Sequence, residues 1–346
     1  MKNYFIMEFC MDICVLGAGT WGLPLAALLS KNGHSVTVWS ALENEIKALK
    51  ETRSNPNLEG VIFPENIIYT TDIKEAVSGK KFILFVVASQ FNRATAKAAA
   101  PFIESDAVII SASKGLEKGT LMTMTDIIED ELKTYDPTSS RPMVALSGPT
   151  HAEEVAHGIP TFIVSACKDE VIARQVADLF ACSALRVYTN TDICGVELCG
   201  ALKNIMALAC GILRGMGLGD NTKAALMTRG IAEMTRIGLA MNCKRRTFMG
   251  LAGIGDLIVT CTSEHSRNNR CGELIGRGMS YEDASKKIGM VVEGYHALEA
   301  AMELQDKYGI EMPITTAVND IIKNGKAPLD VMKELMARDI KNELDT

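Results

Sequence analysis

The chain has ten cysteines but no C-x-x-C pair, and only five histidines among its 346 residues. That scarcity argues against a metal site of the zinc type and against a disulfide frame, so no metal is expected. Reduced thiols of this kind suit a cytoplasmic location. No run of like charges stands out and the formal net charge is -6, so the basic patches that grip nucleic acid are missing. No apolar run reads as approaching the ~20 residues of a membrane helix, and no insertion into a membrane is expected. Residues 1–10 are apolar but broken by Glu8, with Asp12 close behind, and no small-residue cleavage site follows. They do not read as a secretory signal. Met7 and Met11 are alternative starts, and an extension of the first strand is a third reading. Internal repeats and low-complexity tracts are also lacking.

The composition that is present, 47% hydrophobic and 23% charged over 346 residues, fits a well-packed protein too long for one ordinary core. The chain is organised around Gly17-Ala18-Gly19-Thr20-Trp21-Gly22. A short apolar strand at 13–16 precedes this G-x-G-x-x-G, a helix at 21–31 follows it, and a second strand at 35–39 comes next. In that setting Gly17 allows a tight turn, Gly19 lets a pyrophosphate approach the backbone, and Gly22 lets helix and strand pack closely. The amides at the helix start, with the helix dipole behind them, would face the phosphates. A purely structural glycine-rich turn is the alternative. Past the second strand, Ser40-Ala41-Leu42 is neither the acid that holds ribose hydroxyls nor the arginine that holds a 2′-phosphate; Glu43 and Glu45 are the nearest acids. The choice between NAD and NADP stays open.

Strands and helices then alternate. Strands are expected at 66–69, 82–87, 107–111, 143–146, 161–165 and 185–188, and helices at 42–52, 73–77, 93–100, 121–133 and 169–180. Asp72 reads as the cap of the second of these helices. The unbroken apolar run 82–87 suits a central strand covered on both faces. The fold class is therefore α/β: an N-terminal doubly wound, Rossmann-type, mostly parallel sheet with its ligand at the strands' carboxyl edge. Lys114 follows the strand at 107–111 directly and would project from that edge; a solvated surface lysine is the bland alternative. Ser147-Gly148-Pro149-Thr150 leads into another helix, offering amides and a hydroxyl to a polar ligand, or simply Thr150 as a cap. His151 beside it reads as solvated rather than catalytic.

From residue 190 the strand pattern stops. Helices are expected at 192–214, 222–241, 268–276, 281–287, 293–308, 313–323 and 329–336. The domains are thus 1–190, dinucleotide-binding, and 191–346, all-helical. On the first of these helices Lys203 has Cys199, Gly200, Met206 and Ala207 on its own face, none of them acidic. Burial of such an amine lowers its pKa and suits a general base or acid near neutral pH. A lysine paired with a carboxylate elsewhere in the fold is the alternative. Asp256 lies in a glycine-rich apolar stretch; it could cap a helix or touch a substrate or the lysine. Residues 260–270 read as a loop whose Ser266, Arg267 and Asn268 run into a helix start, a suitable place for a phosphate monoester. Glu293 reads first as a helix-start residue.

These stretches stand in one order: Gly17 to Gly22, Ser113-Lys114-Gly115-Leu116-Glu117, Ser147 to Thr150, Leu202-Lys203-Asn204, Gly253-Ile254-Gly255-Asp256-Leu257, Ser266-Arg267-Asn268 and Val291-Val292-Glu293-Gly294. Together they resemble bacterial NAD(P)-dependent glycerol-3-phosphate dehydrogenase, over nearly everything from 13 to 336. The resemblance implies an oxidoreductase that interconverts sn-glycerol 3-phosphate and dihydroxyacetone phosphate for phospholipid synthesis, with NAD or NADP as cofactor and the substrate held between the domains. It implies Lys203 as the proton acceptor, taking the C2 hydroxyl proton as hydride leaves C2. It implies Lys114, Gly148, Thr150, Lys203, Asp256, Ser266, Arg267 and Asn268 as substrate contacts. It implies Gly17, Gly19, Thr20, Trp21, Gly22, Ser40, Lys114, Ala152, Arg267, Val291 and Glu293 as cofactor contacts. Many enzymes of this kind are homodimers, although no stretch of this sequence marks an interface. Two competing readings are a related two-domain β-hydroxyacid or ketopantoate-type dehydrogenase, which has no use for the Ser266 to Asn268 site, and a dinucleotide sensor without catalysis, which has no use for Lys203.

Overall fold

The structure, a computed structural model, describes residues 10–340, 342 and 343. Of the N-terminal extension only Cys10 is included; the rest lies outside the described residues. The chain divides into two compact units. Unit 1 takes residues up to Ser113 together with Met124–Ile193, and unit 2 takes Lys114–Thr123 and everything from Cys194 onward.

Among its described residues unit 1 is built on eight strands: β1 Asp12–Leu16, β2 Ser35–Trp39, β3 Ile68–Thr70, β4 Phe82–Phe85, β5 Val108–Ser111, β6 Met143–Ser147, β7 Thr161–Ala166 and β8 Leu185–Asn190. They pair in the order β3-β2-β1-β4-β5-β6-β7-β8. Every pair is parallel except β6 with β7. The strand order reverses at β1 and β4, where Val15 stands between Val38 and Leu84; such a switch point opens a crevice at the strands' carboxyl ends. Among the described residues seven α-helices accompany the sheet: α1 Gly22–Lys31, α2 Glu43–Thr52, α3 Ile73–Val77, α4 Asn92–Ala99, α5 Met124–Tyr135, α6 Ala152–Ala156 and α7 Glu170–Phe180.

Successive residues of a strand point to opposite faces, and here both faces are dry. Ile13, Val15, Leu84 and Ile110 enter one core with Leu23 and Ala26 of α1 and Val176 of α7. Cys14, Leu16, Ile83, Phe85 and Ile109 enter the other with Ala96 of α4 and Ile128 of α5. A strand buried on both sides must be apolar throughout, which is why β1, β4 and β5 read as runs rather than alternations. Asp72 caps α3 by accepting from the Lys74 and Glu75 amides at 2.8 and 3.3 Å. Asp169 caps α7 likewise, from Val171 and Ile172 at 2.8 and 3.4 Å. Thr150 does not cap α6. His151 holds the cap position without a side-chain bond there, and the Thr150 hydroxyl donates instead to the Gly148 carbonyl at 3.2 Å.

Unit 2 is helical: α8 Ile193–Gly215, α9 Asp220–Ala240, α10 Arg245–Phe248, α11 Asp256–Thr262, α12 Arg267–Gly276, α13 Tyr281–Ile288, α14 Glu293–Tyr308, α15 Pro313–Ile322 and α16 Pro328–Met336. Two expectations are corrected here. Thr260 to Thr262 belong to α11 rather than to a loop. The glycines at 250, 253 and 255 hide that helix in the sequence. They serve a widened, π-type turn, Leu251–Gly255, that delivers the chain to Asp256. A Cβ on Gly253 would lie 2.1 Å from the Phe248 carbonyl oxygen, so nothing larger fits. The second correction is α8. Among the described residues it is the one helix long and apolar enough to cross a membrane, yet its apolar window is wholly buried inside the protein. It is the core helix of unit 2, lined by Leu198, Leu202, Ile205, Leu208 and Ile212. Its glycines admit α12 at backbone distance. A Cβ on Gly211 would stand 2.1 Å from the Asn269 carbonyl oxygen, and one on Gly272 would stand 2.2 Å from that of Leu208.

Candidate active site

In unit 1 the glycine loop has the shape its sequence demands. Gly17 adopts φ +127°, and a Cβ there would lie 2.9 Å from the Val86 carbonyl group. Its amide donates to the Trp39 carbonyl at 2.9 Å, tying the turn to β2. A Cβ on Gly22 would lie 2.0 Å from the Gly17 carbonyl oxygen, whereas one on Gly19 would meet nothing within 4 Å. Two glycines are therefore required by packing, and the third leaves open space over the loop. Thr20 and Trp21 are half-buried beside it, and α1 starts at Gly22 with neither a side-chain cap nor an acid in its first turn. Such a helix start is a site for an anion. These residues fit the pyrophosphate of a dinucleotide.

The rest of the expected unit 1 contacts lie at carboxyl ends of strands. Ser40 follows β2 and is buried; its hydroxyl donates to Glu45 Oε2 at 2.6 Å and accepts from the Leu42 amide at 3.2 Å. Gly148 follows β6, where a Cβ would press to 3.0 Å against the Ile163 Cα of β7. Thr150 and Ala152 come next, Ala152 opening α6 and packing on the sheet core.

Unit 2 gathers the expected acid–base and anion-binding residues. Lys203 sits mid-way along α8 and is only 6% exposed. It has an anionic partner after all: its ammonium donates to Asp256 Oδ1 and, at 2.7 Å, to the Thr260 hydroxyl oxygen. The expectation of an amine without a counter-charge is therefore corrected. On its own helix Lys203 has no acid, but α11 brings Asp256 and Thr260, one turn apart, against it. Thr260 is held for this contact by donating to the Asp256 carbonyl at 2.6 Å. The other Asp256 oxygen accepts from Lys114 Nζ at 2.7 Å. One buried carboxylate is thus shared by two lysines.

Lys114 reaches Asp256 because its segment is fastened to unit 2. Leu116 is buried in that unit's core. The Gly119 amide donates to Glu303 Oε2 at 3.0 Å, and Lys118 pairs with Glu299 at 3.1 Å.

The charges shift accordingly. Burial, first, and then the neighbouring Lys114 cation pull Lys203 down to about 7, against the opposing pull of Asp256. Burial pushes Asp256 up, but the two lysines outweigh it and hold the carboxyl below its ordinary value. The cluster therefore keeps a carboxylate with an amine poised between its two protonation states near neutrality.

Beside it, Asn268 Nδ2 donates to the Asn204 side-chain oxygen at 3.0 Å, and its own oxygen accepts from the Gly294 amide at 2.9 Å. This pair ties the starts of α12 and α14 to the residue after Lys203. A Cβ on Gly294 would come within 2.6 Å of the Asn204 carbonyl oxygen. Val291 and Glu293 flank that contact, with Glu293 opening α14. Ser266 caps α12 by accepting from the Asn269 amide at 3.3 Å. Arg267 is the first residue of that helix and half-buried. Among the described residues its guanidinium has no ion pair or hydrogen-bond partner. A helix start with an uncommitted guanidinium is well made for a phosphate. The sequence alone assigns no role to Thr260 or Asn204. The i,i+4 spacing of Asp256 and Thr260 was the available signal, masked by the preceding glycines. Among the described residues no group of three or more His, Cys, Asp or Glu could hold a metal ion.

The chain matches two family profiles, described as NAD-dependent glycerol-3-phosphate dehydrogenase N-terminus over residues 12–173 and C-terminus over residues 192–333. It is 53% identical over 332 residues to a glycerol-3-phosphate dehydrogenase, NAD(P)+ type, of Lactobacillus delbrueckii subsp. bulgaricus, covering 96% of this chain and 98% of the relative. The corresponding protein of Agathobacter rectalis is 44% identical, covering 95% of this chain and 96% of its own. The crystal structure of glycerol-3-phosphate dehydrogenase from Coxiella burnetii is similar with a TM-score of 0.90 and 35% identity, covering 95% of this chain and 99% of that one.

Proposed function

Because the chain belongs to the NAD-dependent glycerol-3-phosphate dehydrogenase family, we propose that it interconverts sn-glycerol 3-phosphate and dihydroxyacetone phosphate. The observation that carries this reading is the Lys203 cluster: an amine held near a pKa of about 7 by burial and a second cation. Such a group can accept a proton in one direction and return it in the other. Lys203 takes the proton of the C2 hydroxyl during oxidation and donates one to the carbonyl oxygen during reduction. Lys114 supplies a fixed positive charge toward the developing alkoxide, and Asp256 keeps both amines in place. Thr260 fixes the rotamer of Lys203. Arg267, with Ser266 and Asn268 at the α12 start, holds the phosphate, and Gly148 and Thr150 contribute backbone and hydroxyl contacts to the substrate. The nicotinamide, when bound, supplies or receives the hydride. Gly17, Gly19, Thr20, Trp21 and Gly22 hold its pyrophosphate, with Ser40, Lys114, Ala152, Arg267, Val291 and Glu293 as further contacts to the cofactor.

Glycerol 3-phosphate made this way would feed phospholipid assembly in a cytoplasm, where the ten free cysteines stay reduced. The test is a steady-state assay of dihydroxyacetone phosphate reduction with NADH and NADPH, run beside a keto acid without phosphate. Turnover of the phosphorylated ketone alone is the expected result. Equal turnover of the plain keto acid would remove the role given to Arg267.

A further inference from the structure

The carboxyl end of β2 is where a doubly wound sheet meets the ribose next to adenine, and one side chain there commonly decides between a free 2′-hydroxyl and a 2′-phosphate. From the geometry at that strand end we infer that Glu45, held by Ser40, makes this chain select NAD(H) over NADP(H). The inference rests on the dinucleotide reading of the glycine loop and deepens it.

In sequence the strand end is Ser40-Ala41-Leu42, and the acid lies five residues past Ser40, inside α2. The fold closes that gap. The buried Ser40 hydroxyl donates to Glu45 Oε2 at 2.6 Å while accepting from the Leu42 amide at 3.2 Å. Glu45 is in the first turn of α2, where an acidic side chain complements the positive end of the helix dipole. Its carboxylate is thereby brought back to the strand end, with one oxygen occupied and the other left to accept a ribose hydroxyl.

The neighbouring strand repeats the arrangement. Thr70, ending β3, donates to Glu75 Oε2 at 2.5 Å, and the Ser40 amide donates to the Thr70 carbonyl at 3.3 Å. Adjacent strand ends therefore each tether a carboxylate through a hydroxyl. Opposing cations are sparse: residues 40–46 contain no Lys or Arg, and Lys47 is exposed. Lys74 lies over the Phe102 ring, 5.6 Å from its centroid. A phosphate bearing two negative charges would enter a site of its own sign, with no guanidinium among residues 40–46 to receive it. A hydroxyl would find an acceptor.

The experiment is direct titration of the full chain with NADH and with NADPH, without substrate, read by calorimetry. The wild type is expected to bind NADH at least tenfold more tightly, and the gap should narrow as salt is raised, because the discrimination is largely charge repulsion. Glu45→Gln keeps an oxygen for Ser40 but loses the charge; it should shrink the NADH/NADPH ratio at least fivefold, mainly by strengthening NADPH. Ser40→Ala should move the ratio the same way but less, since Ser40 only positions the carboxylate. Glu43→Gln, on the same helical turn, should leave the ratio unchanged and serves as the folded control. A wild type that binds NADPH as tightly as NADH overturns the inference, as does a Glu45→Gln variant with an unaltered ratio. Binding of neither nucleotide would overturn the dinucleotide reading with it. An NADH preference without turnover of dihydroxyacetone phosphate would sink only the proposed substrate.

Discussion

Two amines share one carboxylate at the heart of unit 2: Asp256 accepts from Lys114 through one oxygen and from Lys203 through the other. With Lys203 drawn down to about 7 by burial and then by Lys114, the two directions of the reaction should show opposite pH limbs. In the proposed mechanism, oxidation of glycerol 3-phosphate needs the free amine of Lys203, so its kcat should fall as pH drops below about 7. By the same proposal reduction needs the ammonium, so its kcat should fall as pH rises above about 7. Parallel pH profiles in the two directions would contradict that assignment. Lys203→Ala should bind NADH with an unchanged Kd while kcat falls by roughly 10²–10⁴, the usual worth of a positioned acid–base group. Asp256→Asn should behave differently, because it leaves two cations facing each other in a dry site. Loss of one partner from a buried pair costs about 3–5 kcal/mol, measurable by urea denaturation. Lys203 was legible from its helix face alone, where nothing acidic could meet it. Asp256 as its partner was not, since that contact spans 53 residues and depends on where α11 begins.

The helix seam between α8 and α12 fixes Lys203 relative to the Ser266 to Asn268 turn. Gly211 and Gly215 on α8, with Gly272 and Gly276 on α12, have no room for a Cβ; in each case it would fall 2.1–2.2 Å from a backbone oxygen of the other helix. Gly211→Ala must therefore push the helices apart, and overpacking of this kind destabilises by roughly 1–3 kcal/mol. Its functional signature should be a raised KM for the phosphorylated substrate, since Ser266 to Asn268 form the start of the displaced helix. An unaltered KM would show that the seam does not set the phosphate site. Most elements were readable, because strands buried on both faces are unbroken apolar runs and α3 announces its cap, Asp72. The widened turn before α11 was not: glycines placed for close backbone approach look the same in sequence as glycines placed for a loop. Likewise α8 combines membrane-like apolarity with complete burial, a distinction that only packing reveals.

For the whole molecule, cofactor binding to the native chain should raise stability by mass action. At a hundredfold excess of NADH over its Kd the gain is about 2.7 kcal/mol, and Lys203→Ala should retain it in a thermal-shift measurement. Loss of the shift in that variant would mean that the amine serves nucleotide capture rather than proton transfer. The end of the strand patterning near residue 190 was legible, and the last strand, β8, does end at Asn190. The affiliation of Lys114–Thr123 was hidden, since the segment follows β5 directly yet belongs to the helical unit. The polypeptide consequently crosses between units at three places, not one. A gene truncated to begin at Cys194 would still encode Lys203 and Asp256 but would lack the lysine that shares their carboxylate and the Leu116 plug of that core. Dissection into separately produced halves would thus yield a C-terminal piece missing one lysine of its own buried charge cluster, and a permuted gene would have to carry that short insert along with it.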